Sequence, residues 1–226
     1  KCDPAVWLKG LINLDAPIEK PYGSERQAAA AGAFSYKGLT PETTAFDVDG
    51  VVADTMRLFI DIARNSFGIR GLCYEDITSY NLEACLDLAP TIIEAVIQQI
   101  IDGTHAPRLH PIDGSRQCLA RFGKNGQSVR FVTARPEAGV IRSWLQNILP
   151  LGADQIEVVA TGSFEAKADV LQAAGIDIFV EDRLETCFHL SRTGITPILF
   201  VQPWNRCPHP FREVSTWEEI GALLAE

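Results

Sequence analysis

Asp47-Val48-Asp49-Gly50 places two carboxylates two residues apart with a glycine directly behind them. The stretch follows the β-prone run Thr43-Thr44-Ala45-Phe46 and leads into Val51-Val52-Ala53-Asp54-Thr55. At the exit of a strand, two such acids can be aimed at one reacting group. One carboxylate can attack phosphorus while its neighbour handles protons. The glycine lets the backbone turn sharply and come close to a ligand. Taken alone, Asp-x-Asp-Gly also fits a solvated turn, where both residue types are common.

The elements that must position these acids alternate along the chain. Ala45 to Val48 reads as a first strand, and Met56 to Phe67 and Pro90 to Ile101 read as amphipathic helices. Asp113 to Phe122 reads as a helix capped by Asp113 and ended near Gly123. Ser128–Thr133 predicts a strand, Pro136–Ile148 a helix, Gln155–Ala160 a strand and Phe164–Ala174 a helix stopped by Gly175. Ile176–Val180, Leu184–Arg192 and Pro197–Val201 continue as strand, helix and strand. Thr216 to Ala225 reads as a last helix opened by a Thr-x-x-Glu capping box, Thr216 with Glu219. Strands alternating with helices imply an α/β fold, a parallel sheet with right-handed crossovers.

Three regions follow from this pattern. Residues 43–54 and 111–226 form the core, and 55–110, with helices and no convincing strand, form a helical insert after the first strand. Residues 1–42 form an extension with no evident chemistry, in which Leu8–Leu14 reads as a short helix or docked strand and Gln27–Ala33 as helix or linker.

Ligands of an open parallel sheet bind beyond the carboxyl ends of its strands. Here the successive exits carry Asp47 and Asp49, then Thr133-Ala134-Arg135, then Thr161-Gly162-Ser163 with Lys167 close behind, then Glu181-Asp182-Arg183. Each residue has a plain reading alone: Thr133 as a helix cap, Lys167 as a solvated lysine, Glu181-Asp182 as a loop turn. Their convergence on one sheet edge, in order, is the stronger signal. Arg135 and Arg183 border the edge and either contact substrate phosphate or pair with acids. Phe59 reads as core, whereas Tyr80 and Asn81 in the insert are candidates for lining a substrate pocket.

The rest of the composition bounds the partners. The chain has 226 residues, 46% hydrophobic and 22% charged, with a net charge of −9. An acidic chain has little with which to neutralise a nucleic-acid polymer or an anionic membrane. A small phosphorylated substrate stays open, since a divalent cation inverts the local field. The six cysteines form no CxxC pair and the four histidines no metal spacing. Several cysteines lie in apolar surroundings, which points to a reducing cytoplasm. Lys9 and Asp15 interrupt the first apolar stretch too early for a signal peptide, and no run is long enough to span a bilayer.

The ordered set of motifs resembles the haloacid dehalogenase superfamily over about residues 43–202. Asp47-Val48-Asp49-Gly50-Val51 matches its first motif, Phe131-Val132-Thr133 its second, Lys167 its third and Val180-Glu181-Asp182 the paired-acid form of its fourth. Glu181 stands where a second Asp is usual. Asp47 to Asp54, Val132-Thr133-Ala134-Arg135-Pro136 and Ser79-Tyr80-Asn81-Leu82 look like the 5′(3′)-deoxyribonucleotidase-like group.

The resemblance implies a Rossmann-like, doubly wound core with a small helical cap after the first strand. It implies a Mg²⁺-dependent phosphomonoester hydrolase in which Asp47 forms an aspartyl phosphate and Asp49 protonates the leaving alcohol. Thr133 and main-chain N–H groups near Asp49 and Ala134 would bind the phosphoryl oxygens, and Lys167 would neutralise charge. The Asp47 carboxylate, the Asp49 carbonyl and the Asp182 carboxylate would hold Mg²⁺. The expected substrate is a nucleoside monophosphate, with small sugar phosphates or phosphoglycolate behind it. Carbon–halogen hydrolysis by the same nucleophile and a non-catalytic binding protein of this fold are the rivals. Asp49 and the acid pair at 181–182 weigh against the first, and the complete set of motif positions against the second.

Overall fold

β1 (Thr44–Phe46) is buried along its whole length and lies at the centre of a six-stranded sheet ordered β3-β2-β1-β4-β5-β6. The other strands are β2 (Val129–Thr133), β3 (Ile156–Ala160), β4 (Ile178–Glu181), β5 (Thr196–Phe200) and β6 (Arg212–Val214), and all neighbours pair in parallel. These are features of a computed structural model that describes residues 38–225. The expectations for Leu8–Leu14, Gln27–Ala33 and most of the 1–42 extension lie outside the described residues.

A parallel sheet must be covered on both faces, so its central strands are mostly apolar. Side chains alternate between the faces with a period of two. Ala45, Val132 and Phe179 pack with Ala168, Leu171 and Leu190 of α5 (Lys167–Ala173) and α6 (Leu184–Arg192). Phe46, Phe131 and Val180 share the opposite core with α3 (Ser115–Phe122), α4 (Gly139–Ile148) and α7 (Trp217–Gly221). Phe46 meets Phe122 edge-on at 5.2 Å and Trp217 at 5.5 Å. The Trp217 indole donates to the Val51 carbonyl at 2.8 Å, which ties the last helix to the turn after β1.

Between β1 and α3 the chain forms α1 (Thr55–Phe67), α2 (Pro90–Ile101) and short 3-10 turns, with no strand among residues 55–110. Asp54 caps α1 by accepting from the Arg57 N–H at 3.2 Å. Pro90 opens α2 in its first turn, where its missing N–H costs no helical bond. None of the described helices is long and apolar enough to cross a membrane.

The α/β parallel architecture agrees with the sequence expectation, while several boundaries shift. Asp113 does not cap α3; Gly114 occupies that position without a side-chain bond. α4 starts at Gly139 rather than Pro136, because the Arg135 carbonyl accepts the Gly162 N–H at 3.1 Å and holds the loop to the β3 exit. α7 keeps the Thr216–Glu219 capping box but stops at Gly221. Beyond it the chain pairs with Leu39 through Leu39 N to Leu223 O and Ala225 N to Leu39 O. β6 was not visible in the sequence pattern.

Trp217→Ala removes the largest fully buried side chain among the described residues and its hydrogen bond. A loss of about 3–5 kcal/mol is expected from the cavity term for an aromatic truncation. Urea unfolding of the purified variant checks it, and a loss under about 1 kcal/mol would contradict this packing.

Candidate active site

The strand order reverses beside β1, and that is where an open α/β sheet forms its crevice. The β1–β4 register pairs Phe46 with Val180, so Asp47 and Glu181 leave neighbouring strands at the same level. The Asp47 N–H donates to the Val180 carbonyl at 2.9 Å and fixes that level. Gly50 then turns with φ +76°, and a methyl group there would collide with Asp182 Oδ2 and crowd Trp204. Glycine is therefore required by both its backbone angle and the space.

Lys167, the first residue of α5, is wholly buried between two carboxylates. Its Nζ lies 2.9 Å from Asp47 Oδ2 and 2.8 Å from Glu181 Oε2. Glu181 Oε1 accepts the N–H groups of Asp182 and Arg183 at 3.1 and 3.0 Å. Both oxygens of Glu181 are thus engaged. Asp182 differs: Oδ2 accepts the Trp204 indole N–H at 2.9 Å, while Oδ1 is buried with no hydrogen-bond partner among the described residues. Carboxylate oxygens of Asp47, Glu181 and Asp182 lie within 4.8 Å of one another. A buried, orphaned carboxylate oxygen in an all-oxygen cluster fits a hard divalent cation.

The charges are crowded. Burial first, then Glu181 and Asp49, push the Asp47 carboxyl well above the usual range against the pull of Lys167. Burial, then Glu181 and Asp47, raise Asp182 in the same way. Burial also opposes ionisation of Glu181, but its bonds to Lys167 and the two N–H groups outweigh this and lower it.

Asp49 sits in a different environment. Arg135 grips it with a fork, Nε to Oδ2 at 2.9 Å and Nη2 to Oδ1 at 2.7 Å. Thr55 donates to Oδ1 at 2.6 Å and Thr133 to Oδ2 at 3.4 Å. Burial opposes the charge, yet Arg135 and Thr55 together hold Asp49 below the usual range.

A cavity opens beside Asp49 and Asp182. Asp49, Gly50, Asp182 and Trp204 line it from the core, and Thr55, Met56, Phe59, Tyr80, Leu82, Ile97 and Ile100 from residues 55–110. Burial and the nearby acids Asp182 and Asp47 keep the Tyr80 phenol protonated far above its ordinary range. Asn81 caps the next turn by accepting the Glu83 N–H at 3.1 Å. Arg183 stacks over Phe164 at 4.2 Å and Tyr80 at 5.4 Å.

The structure therefore brings Asp47, Asp49, Thr133, Ala134, Arg135, Lys167 and Asp182 to one end of the sheet, with Tyr80 across the cavity. Sequence reasoning missed Thr55, Gln202, Trp204 and Asn205. Thr55 looked like part of a helix start. The other three fall after β5, where no motif spacing marks them.

The fold is that of the haloacid dehalogenase-type hydrolases. The family model described as "5′ nucleotidase, deoxy (Pyrimidine), cytosolic type C protein" matches residues 42–226, and the chain belongs to that family. No curated protein sequence matches significantly. Among solved structures, a haloacid dehalogenase-like hydrolase from Streptococcus pneumoniae superposes with a TM-score of 0.56 at 12% identity, covering 81% of this chain and 99% of that one. A subfamily IA hydrolase from Geobacter sulfurreducens PCA gives 0.51 at 16% identity, over 84% and 99%. A CbbY variant from Rhodobacter sphaeroides, in complex with xylulose-(1,5)-bisphosphate, gives 0.52 at 14% identity, over 81% and 99%. At these identities the likeness is one of fold.

The raised Asp182 value has a sign. As pH rises past the ordinary carboxylate range, the unfolded chain releases this proton before the folded one does, so stability falls. Asp182→Asn removes that loss. Without metal, the variant is expected to melt about 2–4 °C higher than the parent at pH 7, the shift that about 1 kcal/mol gives at this size. The gain should shrink as pH falls through about 4 and vanish near pH ~3, where both states carry the proton. Equal melting temperatures across that range would contradict the charge crowding.

Proposed function

We propose that the protein is a Mg²⁺-dependent phosphomonoester hydrolase acting through an aspartyl phosphate, with a nucleoside monophosphate as substrate. One observation carries the reading: Asp47 pairs with the Lys167 ammonium and clusters with Asp182, whose open oxygen is buried beside an apolar cavity. Asp47 and Asp182, with the Asp49 main-chain carbonyl, would hold the cation. When bound it supplies positive charge opposite the phosphoryl oxygens. Glu181 has no spare oxygen, and its part is to anchor Lys167.

Asp47 attacks the phosphorus and the bond to the leaving oxygen breaks, giving the aspartyl phosphate and an alcohol once Asp49 delivers a proton. Water then attacks that phosphorus, Asp49 takes its proton, and Asp47 returns with release of inorganic phosphate. Thr133 turns its hydroxyl from Asp49 to a phosphoryl oxygen, beside the N–H groups near Asp49 and Ala134. Lys167 offsets charge on Asp47 and on the phosphoryl group. Asp49 must leave the Arg135 fork to act. An incoming phosphate dianion favours that by attracting the guanidinium and opposing ionisation of the acid beside it.

The cavity supports the choice of leaving group. No lysine or arginine is among its described lining residues, so a second anionic group would go unmatched. Phe59, Tyr80 and the aliphatic side chains suit the face of a nucleobase. The family's description names deoxypyrimidine 5′-nucleotidase activity, and the same reading extends to this chain. Residues 55–110 act in this reading as a cap on a core of 43–54 and 111–226, closing to exclude bulk water. A cytosolic setting follows from the family's description and agrees with the five free cysteines among the described residues.

Phosphate release from a panel of nucleoside monophosphates, sugar phosphates and phosphoglycolate, with Mg²⁺ and with EDTA, tests the proposal. Turnover on nucleotides that EDTA stops is expected. Mg²⁺ binding with no turnover on any monoester would instead make the chain a binding protein. Asp47→Asn is nearly isosteric and should lower kcat by at least about 10³-fold while the circular dichroism spectrum is retained. Retained activity would remove Asp47 as the nucleophile.

A further inference from the structure

We propose that Trp204 is a positioning residue for Asp182, holding one carboxylate oxygen through its indole N–H so that the other is left facing a cation. The inference rests on Asp182 being the metal-binding acid of the site proposed above.

Trp204 lies in the 3-10 turn Pro203–Asn205 that follows β5, and only 7% of it is exposed. Its Nε1 donates to Asp182 Oδ2 at 2.9 Å. The next residue grips the same acid from behind: Asn205 Nδ2 donates to the Asp182 carbonyl at 2.7 Å and to the Phe200 carbonyl at 2.9 Å. Asp182 is thereby fixed at both its main chain and its side chain, and Oδ1 has no partner among the described residues. An indole N–H donates and never accepts, so it cannot compete for the cation. Such partners of metal-binding side chains set orientation and basicity, and their loss typically weakens metal affinity by about 10–100-fold.

The same turn reaches the rest of the site. Gln202 Nε2 donates to the Gly50 carbonyl at 2.7 Å, immediately behind the paired acids of the opening motif. The Tyr74 hydroxyl, from the segment between β1 and α3, donates to Gln202 Oε1 at 3.0 Å. The Tyr74 ring packs against Trp204 with centroids 5.8 Å apart. Trp204 also lines the cavity. A bound leaving group would therefore touch the residue that orients the metal acid.

Trp204→Phe keeps an aromatic ring and deletes the donor. Mg²⁺ titration calorimetry of the metal-free full chain should show about 10–100-fold weaker binding than in the parent. Activity lost at low Mg²⁺ should return as Mg²⁺ is raised. A residue that merely packs would lower the melting temperature without moving Mg²⁺ affinity. The parent protein gives a readout independent of the variant's folding. In ¹⁵N-labelled protein the Trp204 indole resonance should shift on Mg²⁺ addition more than that of Trp144, whose indole donates to the Leu109 carbonyl. Equal Mg²⁺ affinity in Trp204→Phe, or an unmoved Trp204 resonance in a parent that binds Mg²⁺, overturns this inference alone. A parent that binds no divalent cation overturns the metal reading of the site and this inference with it.

Discussion

Lys167 is an ammonium with no access to water, held between Asp47 and Glu181. Desolvating such a charge costs several kcal/mol unless close counter-charges compensate it. That requirement links three parts of the fold: the exit of β1, the exit of β4 and the start of α5. It also divides labour between adjacent acids. Glu181 gives both oxygens to Lys167 and the backbone, which leaves Asp182 as the acid with a spare oxygen. The glutamate reaches one methylene further than an aspartate, and here that reach is spent on the lysine.

Two buried cations organise the site, each with its own acid. Lys167 stands beside Asp47, which burial and neighbouring carboxylates drive toward the protonated form. Arg135 forks onto Asp49 and keeps it ionised. Two carboxylates separated by one residue thus acquire opposite electrostatic tendencies in the metal-free site, the reverse of the nucleophile and acid roles proposed for them. A cation beside Asp47, together with release of Asp49 from Arg135, would exchange the two. Glycine at position 50 lets the backbone pass close enough to Asp182 for this geometry to exist.

Much of this was legible in the sequence because its signals are local. Buried parallel strands are short apolar runs, and the acids, Thr133 and Lys167 each stand just beyond one or at the next helix start. What was not legible depends on distance. Strand order comes from pairings across more than eighty residues, as between Ala45 and Arg130. Helix bounds moved where tertiary bonds overrode local preference, at Arg135 for α4 and at Leu39 for α7. Trp204 and Asn205 carry no motif, because their task is defined by a partner more than twenty residues upstream. The choice between Glu181 and Asp182 was open for the same reason: the proposal of Asp182 rests on which oxygens are already bonded.

β6 carries a further consequence. It is three residues long, follows Pro208 and Pro210, and exposes Arg212 and Glu213. Outer strands offer unpaired backbone groups to any other extended chain, and proteins blunt them with brevity, proline and charge. This margin of the sheet is thus a poor template for intermolecular β-pairing.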